Sequence, residues 1–125
     1  MNSLTAAILV ALCIHGHPVK RPPDCATQRV EGCITYGGLP SKHGYQRDHL
    51  CSLELGCPDT ADNVRYQRCD IFGPHGRCLA GPAADKDADE HEAGVNMCSG
   101  RQTPQEAREW LAKRWFPYGP AQGYD

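Results

Sequence analysis

The fold is decided by the stretch Tyr45 to Arg68, YQRDHLCSLELGCPDTADNVRYQR. From Tyr45 to Leu55 apolar and polar residues alternate at roughly period two, the pattern of a strand running into a turn. Gly56 to Asp62 (GCPDTAD) is a turn by composition, because Gly, Pro and Asp each favour backbone shapes that neither helix nor strand uses. Asn63 to Arg68 can then return as a second short strand. A β-hairpin over about residues 45–68 is the predicted nucleus of the fold. Within it, Asp48 and His49 are adjacent, and Asn63 follows His49 by fourteen positions.

Two helices are predicted downstream. In Ala83 to Cys98 the residues Ala84, Ala88, His91, Val95 and Cys98 step by four, three, four and three, which marks one helix face. That face is expected to pack inward. Asp85, Asp87, Asp89, Glu90 and Glu92 read mainly as a solvated face, the early acids being favoured at a helix amino end. Thr103-Pro104-Gln105-Glu106 is a helix start: Thr103 caps, Pro104 takes the first helical position and Glu106 closes a capping box. Ala107, Trp110, Leu111 and Trp115 form its apolar stripe and Pro117 ends it. Ile71 to Gly81 reads as a Gly/Pro/His loop, and residues 117–125 as a flexible tail. The fold class is small α+β, a single domain with a short hairpin and two helices over residues 45–116. Residues 15–44, rich in Pro, Gly and charge, read as a loop-rich segment with at most a short strand at Cys33 to Tyr36.

The whole chain has 125 residues, one domain's worth. No run reaches the roughly 18 apolar residues of a membrane span. A net charge of −2 excludes a polybasic protein that coats nucleic acid, but not one with a local basic groove. Eight cysteines is a high count, and no pair has the C-x-x-C spacing of a zinc knuckle or redox motif. Disulfides in an oxidising compartment are the favoured reading, with free thiols or structural zinc as alternatives. The disulfide candidates are Cys25, Cys33, Cys51, Cys57, Cys69, Cys78 and Cys98, with connectivity open.

Residues 1–14 bear on the compartment. Leu4 to Ile14 (LTAAILVALCI) has the length of a secretory signal core, which favours a secreted or periplasmic location over the cytoplasm. Met1-Asn2-Ser3 lacks a basic residue and no A-x-A site follows, so a buried first helix or strand is the alternative. Cleavage after Cys13 would leave seven cysteines and one without a mate.

Asp48-His49-Leu50, Leu53-Glu54-Leu55-Gly56, Asn63-Val64, Lys86-Asp87, Glu90 and Cys98-Ser99-Gly100, followed by a helix with Trp110 and Trp115, resemble the HNH, or ββα-metal, nucleases. The likeness is greatest to small bacterial and phage proteins with a D-H-L-x-x-L-E-L-G-G motif, and covers roughly residues 40–115. It implies a metal-dependent endonuclease that hydrolyses DNA phosphodiester bonds. One divalent ion would stabilise the leaving oxygen and an imidazole would take a proton from water. By the same resemblance Asp48 is a metal ligand and His49 the general base. Asn63 braces the loop or ligates, and Glu90 or His91 supplies the last ligand. Mg²⁺ suits oxygen donors best, with Zn²⁺, Mn²⁺ or Ni²⁺ as alternatives. Lys86, Arg47 and Arg65 are the candidates for contact with nucleic-acid phosphate. Neighbouring strand residues point to opposite sides, so Asp48 and His49 can meet at one phosphate only through a twist or bulge.

The chain departs from that pattern. The family's last His falls at Gly94, with His91 one turn earlier; Ser52 and Cys57 stand for the usual Pro and second Gly; Asn63-Val64-Arg65-Tyr66 replaces N-L-W-P; and Ile71 to Gly81, with His75 and Cys78, is an insertion. Two rival expectations therefore stand beside the nuclease. One is a non-catalytic nucleic-acid-binding descendant of the fold, and the other a small secreted disulfide-stapled protein of binding or structural role.

Overall fold

A computed structural model of the chain describes residues 12–18 and 35–125. The predicted hairpin forms. Strand β3, Tyr45–His49, pairs antiparallel with β4, Val64–Arg68, in an unbroken register from Tyr45 opposite Arg68 to His49 opposite Val64. No bulge interrupts it. Successive side chains therefore alternate strictly between two faces. Gln46, Asp48 and Gln67 turn toward the helices, and Asp48 and Gln67 are buried. Tyr45, Arg47, His49, Tyr66 and Arg68 lie on the other face.

The connection between the strands is closed by its own side chains. The Cys51–Cys57 disulfide ties its ends, and the Ser52 hydroxyl accepts from Glu54 N to cap a single 3₁₀ turn at Leu53–Leu55. Asn63 clamps both sides of it. Its Oδ1 accepts from Cys51 N at 2.9 Å, and its Nδ2 donates to Cys51 O at 2.9 Å and Pro58 O at 2.8 Å.

The expected loop at Ile71 to Gly81 is in part a second small hairpin. Strand β5, Ile71–Phe72, pairs with β6, Cys78–Ala80, and the Cys69–Cys78 disulfide staples their base. Its sequence hid the strands because each is only two or three residues long and leaves Ile71, Phe72 and Leu79 exposed.

Helix α1 spans Pro82–Cys98 and α2 spans Pro104–Trp115. The capping box at Thr103 and Glu106 is formed in both directions. Ala107, Leu111 and Trp115 of α2 pack with Ala93 and Met97 of α1, Leu55 and Leu12 into the main core. The inward face of α1 differs from the one expected. Ala83, Lys86, Ala93, Gly94 and Met97 are buried, whereas Ala88 and His91 are exposed. Two charged residues, Lys86 and Glu90, point into the protein, so the inward face is not the stripe that apolar spacing alone marks.

Residues 12–18 belong to the same body. Strand β1, Cys13–Ile14, pairs with β2, His17–Pro18, Leu12 enters the core and Cys13 is disulfide-bonded to Cys98. Residues 1–11, which hold most of the signal-like apolar stretch, lie outside the described residues. No cysteine is free among the described residues, and Cys25 and Cys33 lie outside them, as does the start of the short strand expected at Cys33 to Tyr36. Its last residue opens a 3₁₀ turn at Tyr36–Gly38.

The tail is seated, not frayed. Arg68 N donates to Gly123 O, Asp125 N donates to Tyr66 O, and Gln67 Nε2 donates to Gln122 O, which lays residues 122–125 along β4. Gly123 is required at its position. It has φ +82, and a Cβ there would lie 2.5 Å from Cβ of Pro82. The close approach brings Tyr124 down onto the inner face of the hairpin, where it is buried. No helix among the described residues is long and apolar enough to cross a membrane.

Candidate functional site

Asp48, Lys86 and Glu90 gather on one face of the β3–β4 hairpin and Arg47 and His49 on the other, while Asn63, Arg65 and His91 join neither cluster. On the inner face, Asp48 of β3 meets Lys86 and Glu90 of α1. Lys86 and Glu90 are four apart and so share a helix face. Lys86 Nζ lies 2.9 Å from Asp48 Oδ2 and 2.5 Å from Glu90 Oε1, and donates at 2.7 Å to the backbone carbonyl of His49. An ammonium has three hydrogens, and these three acceptors use all of them. The Tyr124 hydroxyl donates to Asp48 Oδ2. Tyr118, partly buried beside them, donates to Leu50 O at 3.0 Å.

Electrostatics follow from the count of charges. Burial alone would lower the pKa of Lys86, but the Asp48 and Glu90 carboxylates outweigh it and hold the ammonium above its ordinary value. Lys86 therefore stays charged. Burial pushes the Glu90 carboxyl up to about 8; Lys86 opposes the shift and the charge of Asp48 adds to it. The two directions agree once one positive charge is divided between two carboxylates. Burial and the neighbouring Asp48 also raise the Tyr124 hydroxyl well beyond its usual range, so it remains a donor.

Carboxylate oxygens of Asp48, Asp87 and Glu90 lie within 4.8 Å of one another. As hard oxygen donors they have the chemistry that Mg²⁺ takes. They do not fit it as arranged, because the cation among them is Lys86. A divalent ion placed between Asp48 and Glu90 would meet a fully hydrogen-bonded ammonium in a buried site. Lys86 is likewise corrected as a phosphate contact, since none of its side chain is exposed. His91 is exposed on α1 and does not join the acidic group. At Gly94, where the resemblance puts the last His, a Cβ would lie 3.0 Å from Pro18 and 3.2 Å from Glu54, so that position faces β2 and the Leu53–Leu55 turn.

On the outer face His49 has separate partners. Its Nε2 lies 2.9 Å from Asp59 Oδ1. A carboxylate only accepts, so Nε2 carries the hydrogen. Asp59 is itself held by the backbone N–H groups of Tyr36 at 2.9 Å and Gly37 at 2.8 Å. Gly37 makes that approach possible. It has φ +58, and a Cβ would lie 2.6 Å from the backbone of Ala61. The Tyr36 ring stacks on His49 with centroids 5.5 Å apart, and the Arg47 guanidinium sits 4.2 Å from the centre of the Tyr36 ring.

The same face continues along the strands. Tyr45 and Tyr66 meet edge to face at 6.2 Å, with Lys42 Nζ 4.4 Å and 5.1 Å from their ring centres. Arg68 lies at the far end opposite Tyr45. Two carboxylates neutralise part of this strip, Asp125 paired with Lys42 and Asp70 with Arg68 at 3.1 Å. Arg65 is exposed, but its guanidinium folds onto carbonyls of Ala61, Asp62 and Val64 and lies off the strip.

Asp48 and His49 therefore do not converge, since the hairpin has no bulge to turn them together. Asn63 spends its amide on the loop. Sequence reasoning missed Asp59, Tyr36 and Tyr124. Asp59 was absorbed into a turn composition, and Tyr124 into a tail. The available signal for the inner cluster was the Lys86–Glu90 spacing. Comparison of the chain with known protein families, with curated proteins and with solved structures finds no match.

Proposed function

We propose that the chain is a DNA-binding protein built on an HNH-type ββα scaffold in which metal-dependent hydrolysis has been given up. The observation that carries this reading is the outer strip, where Tyr36, Tyr45 and Tyr66 alternate with Lys42, Arg47 and Arg68. Aromatic rings offer bases a stacking surface and the cations meet phosphates, a combination that suits a single strand. The inner cluster supports the loss of catalysis, because the residues matched to the metal site hold Lys86.

Magnitudes bound the expectation. Three cations, two of them each paired with its own carboxylate, give a salt slope no steeper than about −2 on single strands, from roughly −0.7 per phosphate. Binding is thus weak and confined to low salt. The test is fluorescence anisotropy of a labelled single-stranded oligodeoxynucleotide in EDTA, with duplex DNA and RNA as comparison arms. Binding that survives EDTA and falls about tenfold or more in Tyr45→Ala or Tyr66→Ala supports the reading, since one stacked base contributes roughly 1–3 kcal/mol. Absence of binding at low salt overturns it in favour of the disulfide-stapled structural protein.

A second reading, a metal-dependent HNH endonuclease with His49 as base, is favoured by one observation. Asp59 orients the His49 imidazole as a partner carboxylate orients a general base. Nicking of plasmid DNA that is lost in His49→Ala supports that reading over the first.

A further inference from the structure

The cluster of Asp48, Asp87 and Glu90 already contains a cation, and what that cation does has consequences for the metal. We infer that the Lys86 ammonium is the resident cation of this cluster and keeps divalent ions out, so that emptying position 86 turns the cluster into a divalent-cation site. The inference rests on the part of the functional reading that denies the chain a metal, and is independent of DNA binding.

Three features carry it. The ammonium sits within 2.9 Å of Asp48 and 2.5 Å of Glu90, the places a metal would need. Its third hydrogen goes to His49 O, so it is anchored to the strand as well as to the acids. The carboxylate oxygens stay within 4.8 Å of one another, a spread that one ion could bridge. A lysine supplies one positive charge to this group, and a divalent ion would supply two. With Lys86 shortened, buried Asp48 and the half-buried Asp87 and Glu90 would be left beside each other without their cation, an unfavourable arrangement that a divalent ion relieves.

The probe is Mn²⁺ alone, without nucleic acid, followed by electron paramagnetic resonance and by thermal unfolding. Wild-type protein should bind no Mn²⁺ at the cluster, and its Tm should not move on addition of the ion or of EDTA. Lys86→Ala should gain one Mn²⁺ site and a Tm that rises by several degrees as Mn²⁺ saturates. Asp48→Asn in the same background should weaken that site at least about tenfold, since losing even an outer-shell partner of a ligand costs that much. Lys86→Met, which fills the volume without charge, should stay unresponsive. Wild-type protein that binds one Mn²⁺ in a manner abolished by Glu90→Gln overturns the inference. So does Lys86→Ala protein that gains no site, whether purified folded or refolded in Mn²⁺. Loss of DNA binding with these results unchanged would sink only the functional reading.

Discussion

The two faces of the β3–β4 hairpin start from neighbouring residues and end in opposite conditions. Asp48 turns inward to a buried lysine, a tyrosine and a second carboxylate, all supplied from far along the chain. His49 turns outward to Asp59 and Tyr36, where it is half-buried. The inner face uses charge to hold a helix and the tail against the strand. The outer face leaves rings and cations where a ligand can reach them. A motif that reads as one unit in sequence is divided in space, because a strand with unbroken register sends adjacent side chains apart.

The largest way to break the comparison is through Asp48. Asp48→Ala leaves Lys86 with a single carboxylate partner and Tyr124 with no acceptor there, in a buried setting. It should lower stability by about 3–5 kcal/mol, the scale for removing one member of a buried ion pair. Denaturant unfolding measures this. A loss under about 1 kcal/mol would mean that the inner cluster contributes little to the fold.

A smaller effect sharpens the account of charge. The Glu90 carboxyl, raised to about 8 in the folded chain, has an ordinary value of 4.5. Between those values the folded state keeps a proton that the unfolded chain has released. Stability therefore falls as pH rises through that window. Tm measured from pH 5 to pH 9 should decline in the wild type, and Glu90→Gln should flatten the decline. A wild-type Tm that rises with pH would contradict the shared-charge picture.

These effects also say what was legible beforehand. The hairpin and both helices were readable because strand alternation at Tyr45–Leu55, the turn at Gly56–Asp62 and the Thr103 capping box are local signals. The inner site was not. Lys86 and Glu90 look like solvent-facing residues to any rule based on polarity, and their burial depends on Asp48, thirty-eight positions before Lys86. Tyr124 was unreadable for the same reason, since the docking of residues 122–125 along β4 and of Gly123 against Pro82 places it. Asp59 was legible as a turn residue and not as a partner, because the N–H groups that hold it come from Tyr36 and Gly37.

The smallest stability effect belongs to the outer face. Arg47 stacks on Tyr36 and donates to Leu39 O at 3.2 Å in a partly exposed setting. Arg47→Ala should change stability by no more than about 1 kcal/mol and yet weaken oligonucleotide binding and make the salt slope shallower. A variant as unstable as Asp48→Ala would erase the distinction between the faces.

The central claim is that the inner cluster is a charge-locked support and not a metal centre. Its most direct measurement is plasmid nicking by purified wild-type protein in EDTA, followed by addition of Mg²⁺ or Mn²⁺ in excess. The account predicts no divalent-dependent nicking above that of a Lys86→Met control. Nicking that EDTA abolishes, that the ion restores, and that Asp48→Asn and Glu90→Gln each remove would contradict it.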